Sequence, residues 1–191
     1  VPSGGFSGGG VYLSGGLLLD CAIQGNSVPF SGGGGGIRVA GGTVRNCLVC
    51  RNYVDWSGAG ISMVGGAVEN CTIVTNQGGV SAAGVFQGGG GLTNCVIYFN
   101  AVGNYSGAGA VYSCAPELGS GTGNLTGDPR FRSLALADFR LAPDSPCVNA
   151  GTNLSWMPGA KDLAGQLRVA ATRVDMGAYE RPENGSVFIA R

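Results

Sequence analysis

One pattern recurs along the chain about every 24 residues, and it limits the possible folds more than any other feature. Three close copies, GIRVAGGTVRNCLVCRN, GISMVGGAVENCTIVTN and GVFQGGGGLTNCVIYFN, follow the looser GVYLSGGLLLDCAIQGN and precede the truncated GAVYSC. The aligned cysteines, spaced 26, 24 and 24 residues, are Cys21, Cys47, Cys71 and Cys95. The asparagines that close the units keep this spacing and are Asn26, Asn52, Asn76 and Asn100. A fixed period in this range is typical of a repeat architecture.

Each unit consists of short runs that alternate in polarity and are rich in β-branched or aromatic residues, separated by glycine pairs and an Asn-Cys step. This pattern predicts strands, since no stretch long enough for a helix lacks a glycine. Leucine-rich repeats need a leucine spacing that is absent, and propeller blades need about 40 residues. We therefore predict an all-β, right-handed parallel β-helix with about 24 residues per coil. Residues 1–113 would form regular coils, and residues 114–191 irregular terminal coils and a C-terminal extension of the same solenoid.

Stacking the coils would place equivalent residues in columns about 4.8 Å apart. The four cysteines are then predicted to form one internal column, with Ile23, Val49, Ile73 and Ile97 in the next. The four asparagines would lie at corners, where their amides bond to the copies above and below. We expect both sets to be structural. The alternative of a metal-binding cysteine column is disfavoured because the chain has no histidine.

Composition excludes several classes of function. The formal net charge is zero, charged residues make up 12%, and the single lysine is Lys161. The sequence therefore offers no basic stripe for nucleic acid, and no apolar run is long enough to span a membrane. Without histidine, and without two acids on one face of adjacent coils, we expect neither an enzyme nor a cofactor.

Two cysteines fall outside the repeat, Cys114 in SCAPE and Cys147 in DSPCVN. They are the best candidates for a disulfide, which would indicate an oxidising, extracellular setting. Cysteines within the internal column could also approach bonding distance, but their parallel Cβ vectors favour free, buried thiols.

An aromatic file is a candidate binding surface. Tyr12, Phe86 and Tyr112 are expected at one register on the outer face, where they could stack on sugars, although Arg38 and Ser62 interrupt the file. The alternative is that these rings only pack against neighbours. Alignment also places Arg45 against Glu69, which predicts a pair across adjacent strands.

The C-terminal motifs GTGNLTGDPRF, DFRLAPDSPCVNAGTN, KDLAGQLRV and RVDMGAYE resemble the end of secreted bacterial right-handed β-helix proteins of the choice-of-anchor Q and polymorphic outer-membrane-like repeat families. With the coils, the resemblance covers nearly the whole chain. It implies the fold, secretion and a bridge between Cys114 and Cys147, but little about activity. Ala164 stands where the family usually has an acid, so a Ca²⁺ site at Asp162 is not expected. We interpret the remaining acids as caps and salt-bridge partners: Asp162, Asp175 and Glu180.

Two functional hypotheses follow. The first is a non-enzymatic, secreted structural or adhesive β-helix at the cell surface, which associates head to tail into filaments through uncovered strand edges. A short apolar strand at residues 187–190 could take part in that contact. The alternative is an extracellular carbohydrate-binding or polysaccharide-lyase-like β-helix, which rests on analogy between folds.

Overall fold

The computed structural model describes residues 8–29 and 33–182. In this part of the chain all regular secondary structure is β, and parallel strands stack as a solenoid of about four turns with roughly 24 residues between equivalent positions. The predicted fold class of a parallel β-solenoid is therefore confirmed. The predicted strand at residues 187–190 lies outside the described residues.

Each of the first two coils has four short strands. The first coil contains β1 (Val11–Leu13), β2 (Leu17–Leu19), β3 (Ala22–Gln24) and β4 (Ser27–Val28). The second coil contains β5 (Ile37–Val39), β6 (Thr43–Arg45), β7 (Leu48–Cys50) and β8 (Tyr53–Val54). In the third and fourth coils the first two strands merge into one longer strand.

The later coils are less uniform. The third coil contains β9 (Ile61–Glu69), β10 (Thr72–Val74) and β11 (Gln77–Gly78). The fourth contains β12 (Val85–Thr93) and β13 (Val96–Tyr98), and β14 (Tyr105–Ser106) and β15 (Ala110–Val111) add a partial fifth layer. Beyond the coils, β16 (Phe131–Ser133) and β17 (Asp138–Leu141) form an antiparallel pair.

Three parallel sheets run along the solenoid. The first sheet contains β1, β5, β9 and β12 with β14, and includes β2, β6 and β15; the second contains β3, β7, β10 and β13; the third contains β4, β8 and β11. Pairing is in register, so that Ile23 pairs with Val49, Val49 with Ile73, and Ile73 with Ile97. These four residues belong to the central core together with the cysteine column, as the repeat alignment predicted.

Left-handed backbone marks four corners of the coil. Four columns have φ between 39° and 88°: Gly34, Gly58 and Ala82; Gly16, Gly42, Gly66 and Gly90; Asp20, Asn46, Asn70, Asn94 and Tyr112; Gly25, Arg51, Thr75 and Phe99. The asparagines that close each unit are not among them, because the residue just before each one makes the turn. The closing asparagines therefore follow a left-handed residue at their corner, whereas the asparagine of the Asn-Cys step is itself left-handed at the preceding corner.

The C-terminal part covers the side of the solenoid. Phe139 packs on Cys50 and Val74, which point outwards from the second sheet, and Ala178 donates its N–H to Thr72 Oγ1 at 3.0 Å. Isolated parallel bridges continue as far as Leu125, and beyond it β16 and β17 pair with each other in antiparallel orientation. Several outward side chains of the second sheet are apolar, among them Cys50, Val74 and Val96, so burying them is favourable. Among the described residues, no helix has the length and apolar character needed to cross a membrane.

Candidate functional site

The predicted asparagines form a hydrogen-bonded ladder through the coils. Each asparagine donates its backbone N–H and its side-chain amide to the Oδ1 atom of the asparagine in the next coil. The distances lie between 2.9 and 3.0 Å for the steps Asn26 to Asn52, Asn52 to Asn76 and Asn76 to Asn100. Asn52, Asn76 and Asn100 also donate to a backbone carbonyl of the preceding coil at 3.0 Å. The ladder thus satisfies buried backbone and side-chain groups together.

The ladder extends further than the repeat predicted. Asn100 donates in the same way to Asn104 Oδ1, at 3.0 and 3.2 Å. Asn104 then donates its backbone N–H to Glu117 Oε1 at 2.8 Å and its side-chain amide to the same atom at 3.3 Å. A carboxylate therefore ends the ladder at its C-terminal end. At the other end, Asn26 Oδ1 accepts no hydrogen bond from residues 8–29 or 33–182.

The glycine that opens each unit lies against the ladder asparagine of its own coil. A Cβ atom on Gly60 would lie 2.8 Å from Asn76 Nδ2, and a Cβ atom on Gly36 would lie 2.8 Å from Asn52 Nδ2. Real Cβ atoms almost never approach another atom this closely, so the surrounding atoms would have to shift. The constant spacing of glycine and asparagine within the repeat therefore reflects a contact inside each coil.

The second asparagine column attaches the C-terminal segment. Asn46 donates to Lys161 O at 2.8 Å, and Asn94 both donates to Thr152 O and accepts from Thr152 N at 2.8 Å. Sequence reasoning missed this role. The available signal was the recurring Asn-Cys step, which places an amide at an outward corner in successive coils.

The cysteine column is a set of free, buried thiols except at Cys21, which is partly exposed. Each thiol donates to the carbonyl oxygen two residues earlier, at 3.1 to 3.3 Å. The neighbouring Cys71 thiol and burial raise the pKa of Cys47, and burial raises the pKa of Cys71 well above its ordinary value. The reactive thiolate forms of Cys47 and Cys71 are therefore disfavoured. Within the described residues, no cluster of three or more His, Cys, Asp or Glu side chains is placed to hold a metal.

The predicted disulfide between Cys114 and Cys147 is absent. Both residues are fully buried free thiols in one apolar cluster with Val96, Leu141 and Met176. The Cys114 thiol faces Cys147 and raises its pKa, with burial as the second cause. The sequence correctly placed the two cysteines together, but the structure holds them as a packed thiol pair.

The predicted aromatic file does not form. Tyr12 and Phe86 do share a register on the first sheet, and the residues of that column are Tyr12, Arg38, Ser62, Phe86 and Ser106. Tyr112 is not in this column, because Ala110 pairs with Leu92 and Val111 with Thr93, so Tyr112 aligns with Asn94. The fifth layer is shorter than a full coil, and this displaced Tyr112 from the expected register. Three rings on one face are therefore not available as a sugar platform.

The C-terminal acids act as caps around a buried arginine. Arg168 is fully buried and its Nη2 lies 3.2 Å from Glu180 Oε1. Asp175 accepts from Asn149 N and Arg181 N at 2.7 Å, and Asp162 Oδ2 accepts from Glu180 N at 2.7 Å. Burial raises the pKa of Glu180 to about 9 and also raises the pKa of Asp175.

The predicted pair of Arg45 and Glu69 is confirmed. Arg45 Nη2 and Glu69 Oε2 are 2.9 Å apart, and the Arg45 guanidinium also lies 4.2 Å from the centre of the Trp156 ring. Trp156 belongs to the C-terminal segment, so this contact again fixes that segment to the coils.

The two ends of the solenoid differ in exposure. In the first coil, the inward residues Val11, Leu13, Leu18 and Cys21 are only partly buried, whereas their counterparts one coil later are completely buried: Ile37, Val39, Val44 and Cys47. At the C-terminal end, Ala115 is fully buried and Leu118 is nearly so, and both close the core. Within the described residues, the first coil therefore presents an open edge and the last layer a closed one.

No protein-family model, curated protein or solved structure matches this chain. The fold is therefore established by the register of the strands. The resemblance to the choice-of-anchor Q and polymorphic outer-membrane-like repeat families stays a prediction, and so does secretion.

Proposed function

We propose that this chain is a non-enzymatic structural β-solenoid that associates with another copy through the edge of its first coil. The observation that carries the proposal is the half-exposed interior of that coil. Val11, Leu13 and Leu18 are only partly buried, whereas the residues at the same positions one coil later are fully buried. Among residues 8–29 and 33–182, the strands of the first coil pair with the second coil only, and free strand edges bind other strands.

Extracellular action, as a structural or adhesive element of a cell surface, is part of the same proposal and rests on the family resemblance. The exposed side chains of the first coil add to the apolar character of the edge, since Leu17 is 52% and Leu19 41% exposed. Apolar surface of this kind favours association.

The closed C-terminal end changes the expected form of assembly. A head-to-tail filament needs two complementary ends, but Leu118 covers the core at one of them and Glu117 ends the ladder there on an acceptor. Asn26 Oδ1, at the other end, is also an acceptor, so among the described residues neither end of the ladder offers a donor to a second copy. Two copies that join at their first coils instead form a closed dimer, in which edge strands pair across a two-fold axis.

Sedimentation velocity of the purified chain over a wide concentration range tests this proposal, with electron microscopy of the same samples. We expect a reversible dimer that Leu18→Lys abolishes, because an inward charge at an edge blocks strand pairing. Leu136→Lys is the matched control, since Leu136 is 83% exposed and lies in the turn between β16 and β17. Thermal unfolding verifies that both variants are folded.

A chain that stays monomeric at every concentration would exclude self-association. Filaments of uniform width would instead support head-to-tail joining and would show that the C-terminal cap opens. If the Leu18→Lys variant still forms the dimer, the contact between the two copies lies outside the first coil.

A further inference from the structure

A polar groove lies where the C-terminal segment meets the fifth layer of the solenoid. Its volume is about 640 Å³, within the usual range for small-ligand sites. The residues that line it are Tyr112, Gly123, Asn124, Leu125, Asn149, Ala150, Thr152, Asn153 and Arg173. One lining residue is an arginine and none is an acid, so the groove itself carries a positive charge.

Tyr112 breaks the pattern of its column. The equivalent corner positions in the earlier coils are Asp20, Asn46, Asn70 and Asn94, all with left-handed backbone, and Tyr112 keeps that backbone with φ 47°. Left-handed backbone is costly for an aromatic residue and favours asparagine. The ring packs on Gly123, where a Cβ atom would lie 2.3 Å from the ring. A bulky ring is therefore held at a position where the fold favours a small amide.

Arg173 is held over this ring. Its Nε donates to Gly151 O at 2.9 Å and its Nη2 donates to Ala150 O at 3.1 Å. The guanidinium carbon lies 5.6 Å from the centre of the Tyr112 ring. Nη1 has no partner among the described residues, so a fixed cation offers free N–H donors at the groove. Fixed guanidinium groups are suited to bind carboxylates.

Amide and hydroxyl groups complete the lining. Asn153 is fixed because its Nδ2 donates to Thr172 O at 2.9 Å and its Oδ1 accepts from Val174 N at 3.0 Å. Asn149 has left-handed backbone with φ 52°, donates its N–H to Asp175 Oδ1, and is exposed. Asn149 and Thr152 can therefore donate to and accept from the hydroxyl groups of a ligand.

We propose that this groove binds an acidic saccharide, with a carboxylate on Arg173, hydroxyl groups on Asn149 and Thr152, and a sugar ring beside Tyr112. The combination of one fixed cation, an aromatic wall and neutral hydrogen-bonding groups selects for a ligand rich in hydroxyl groups that carries a negative charge. An acidic peptide is less well matched, since strand addition needs a free sheet edge along the site. This inference goes beyond the proposed structural function and does not depend on self-association.

Isothermal titration of the whole chain with a galacturonic acid tetrasaccharide tests the inference. The methyl ester of the same tetrasaccharide removes the charge and keeps the size, and a glutamate-rich peptide tests the other class of acidic ligand. We expect the acid to bind, and the ester and the peptide to bind at least about tenfold more weakly.

Variants then locate the site. Arg173→Gln should lower affinity for the acid by about tenfold or more, and Arg173→Lys should recover only part of the loss, because lysine keeps the charge without the planar guanidinium. Tyr112→Asn should weaken binding while it preserves the fold, since asparagine occupies this corner in three earlier coils. Arg132→Gln, which changes an exposed arginine outside the groove, is the matched control.

Three results would overturn the inference. Equal binding of acid and ester would remove the role of charge, and unchanged affinity in Arg173→Gln would place any binding elsewhere. Stronger binding of the peptide would assign the groove to an acidic protein segment.

Discussion

Asn104 donates its backbone N–H and its side-chain amide to one oxygen of Glu117, at 2.8 and 3.3 Å. This contact ends the ladder that runs through the coils on a charged acceptor. Hydrogen bonds to ionised acceptors are stronger than those between neutral groups. Glu117 therefore closes the ladder and helps to set the end of the solenoid.

Replacement of Glu117 tests this closing role. Glu117→Ala removes the acceptor of two Asn104 donors, and because Glu117 is exposed and water can partly replace it, we expect the free energy of unfolding to fall by about 1 kcal/mol. Glu117→Gln keeps an acceptor and should cost less. Denaturant unfolding measures both, with Asp144→Ala as control because the exposed pair of Asp144 and Arg130 should contribute little. Equal effects of the three changes would contradict the closing role.

The position of an asparagine in the ladder should determine its importance. Asn76→Ala removes an acceptor for Asn52 and a donor for Asn100 in a fully buried site, so we expect a loss of about 3 kcal/mol or more. Asn26→Ala should cost less, since Asn26 is partly exposed and accepts no hydrogen bond from the described residues. Urea unfolding compares the two variants. A larger loss for Asn26→Ala would mean that the ladder is more important at the edge than inside.

Replacement by alanine should affect stability differently at two glycines of the coils. Gly60→Ala places a methyl group 2.6 Å from Gly84 O and 2.8 Å from Asn76 Nδ2, so we expect a loss of about 1–3 kcal/mol. Gly91→Ala meets no atom within 4 Å and lies outside the left-handed region, so it should be neutral or stabilising by up to about 1 kcal/mol. Thermal unfolding of the two variants distinguishes a local steric clash at Gly60 from a general destabilising effect of alanine in these strands. Similar losses in both would contradict the predicted contact.

The buried carboxyl of Glu180 should make stability depend on pH. Its pKa is raised from 4.5 to about 9 by burial, so the folded state keeps a proton that the unfolded chain releases near pH 4.5. This contribution is complete below pH 4.5 and is lost as the pH rises towards 9. Denaturant unfolding from pH 4.5 to 9 should therefore show a decline that is smaller in Glu180→Gln, whose side chain stays neutral. An identical pH dependence in both proteins would show that Glu180 is ionised in the folded state.

The repeat was sufficient to predict the coils, because stacking forces equivalent residues into register. Val49 and Ile73 pair as the alignment requires, and Arg45 meets Glu69. The path after Leu125 could not be predicted in the same way. Its contacts are between residues far apart in sequence, such as Asn46 with Lys161, and no periodicity encodes them.

The candidate sites were harder to predict than the fold. Tyr112 was assigned to the wrong column because the fifth layer is short. No sequence pattern marks Arg173, whose position depends on its contacts with Gly151 O and the Tyr112 ring. Glu117 lies outside the repeat and was missed for the same reason. Sequence periodicity identifies positions that repeat, whereas a binding groove or a cap depends on residues that occur once.

The number of residues per coil is not the same in every coil. Asn26 and Asn52 are 26 residues apart, whereas Asn52 and Asn76 are 24 apart. Val28 pairs with Val54 and Ile37 pairs with Ile61, so the two extra residues fall between Val28 and Ile37 while the strands on either side of them stay paired with the next coil. The turn after the third sheet therefore accepts two additional residues in the first coil. Inserted loops would all emerge along one side of the molecule at the spacing of the coils, about 4.8 Å, as a row of closely spaced attachment points on a rigid support.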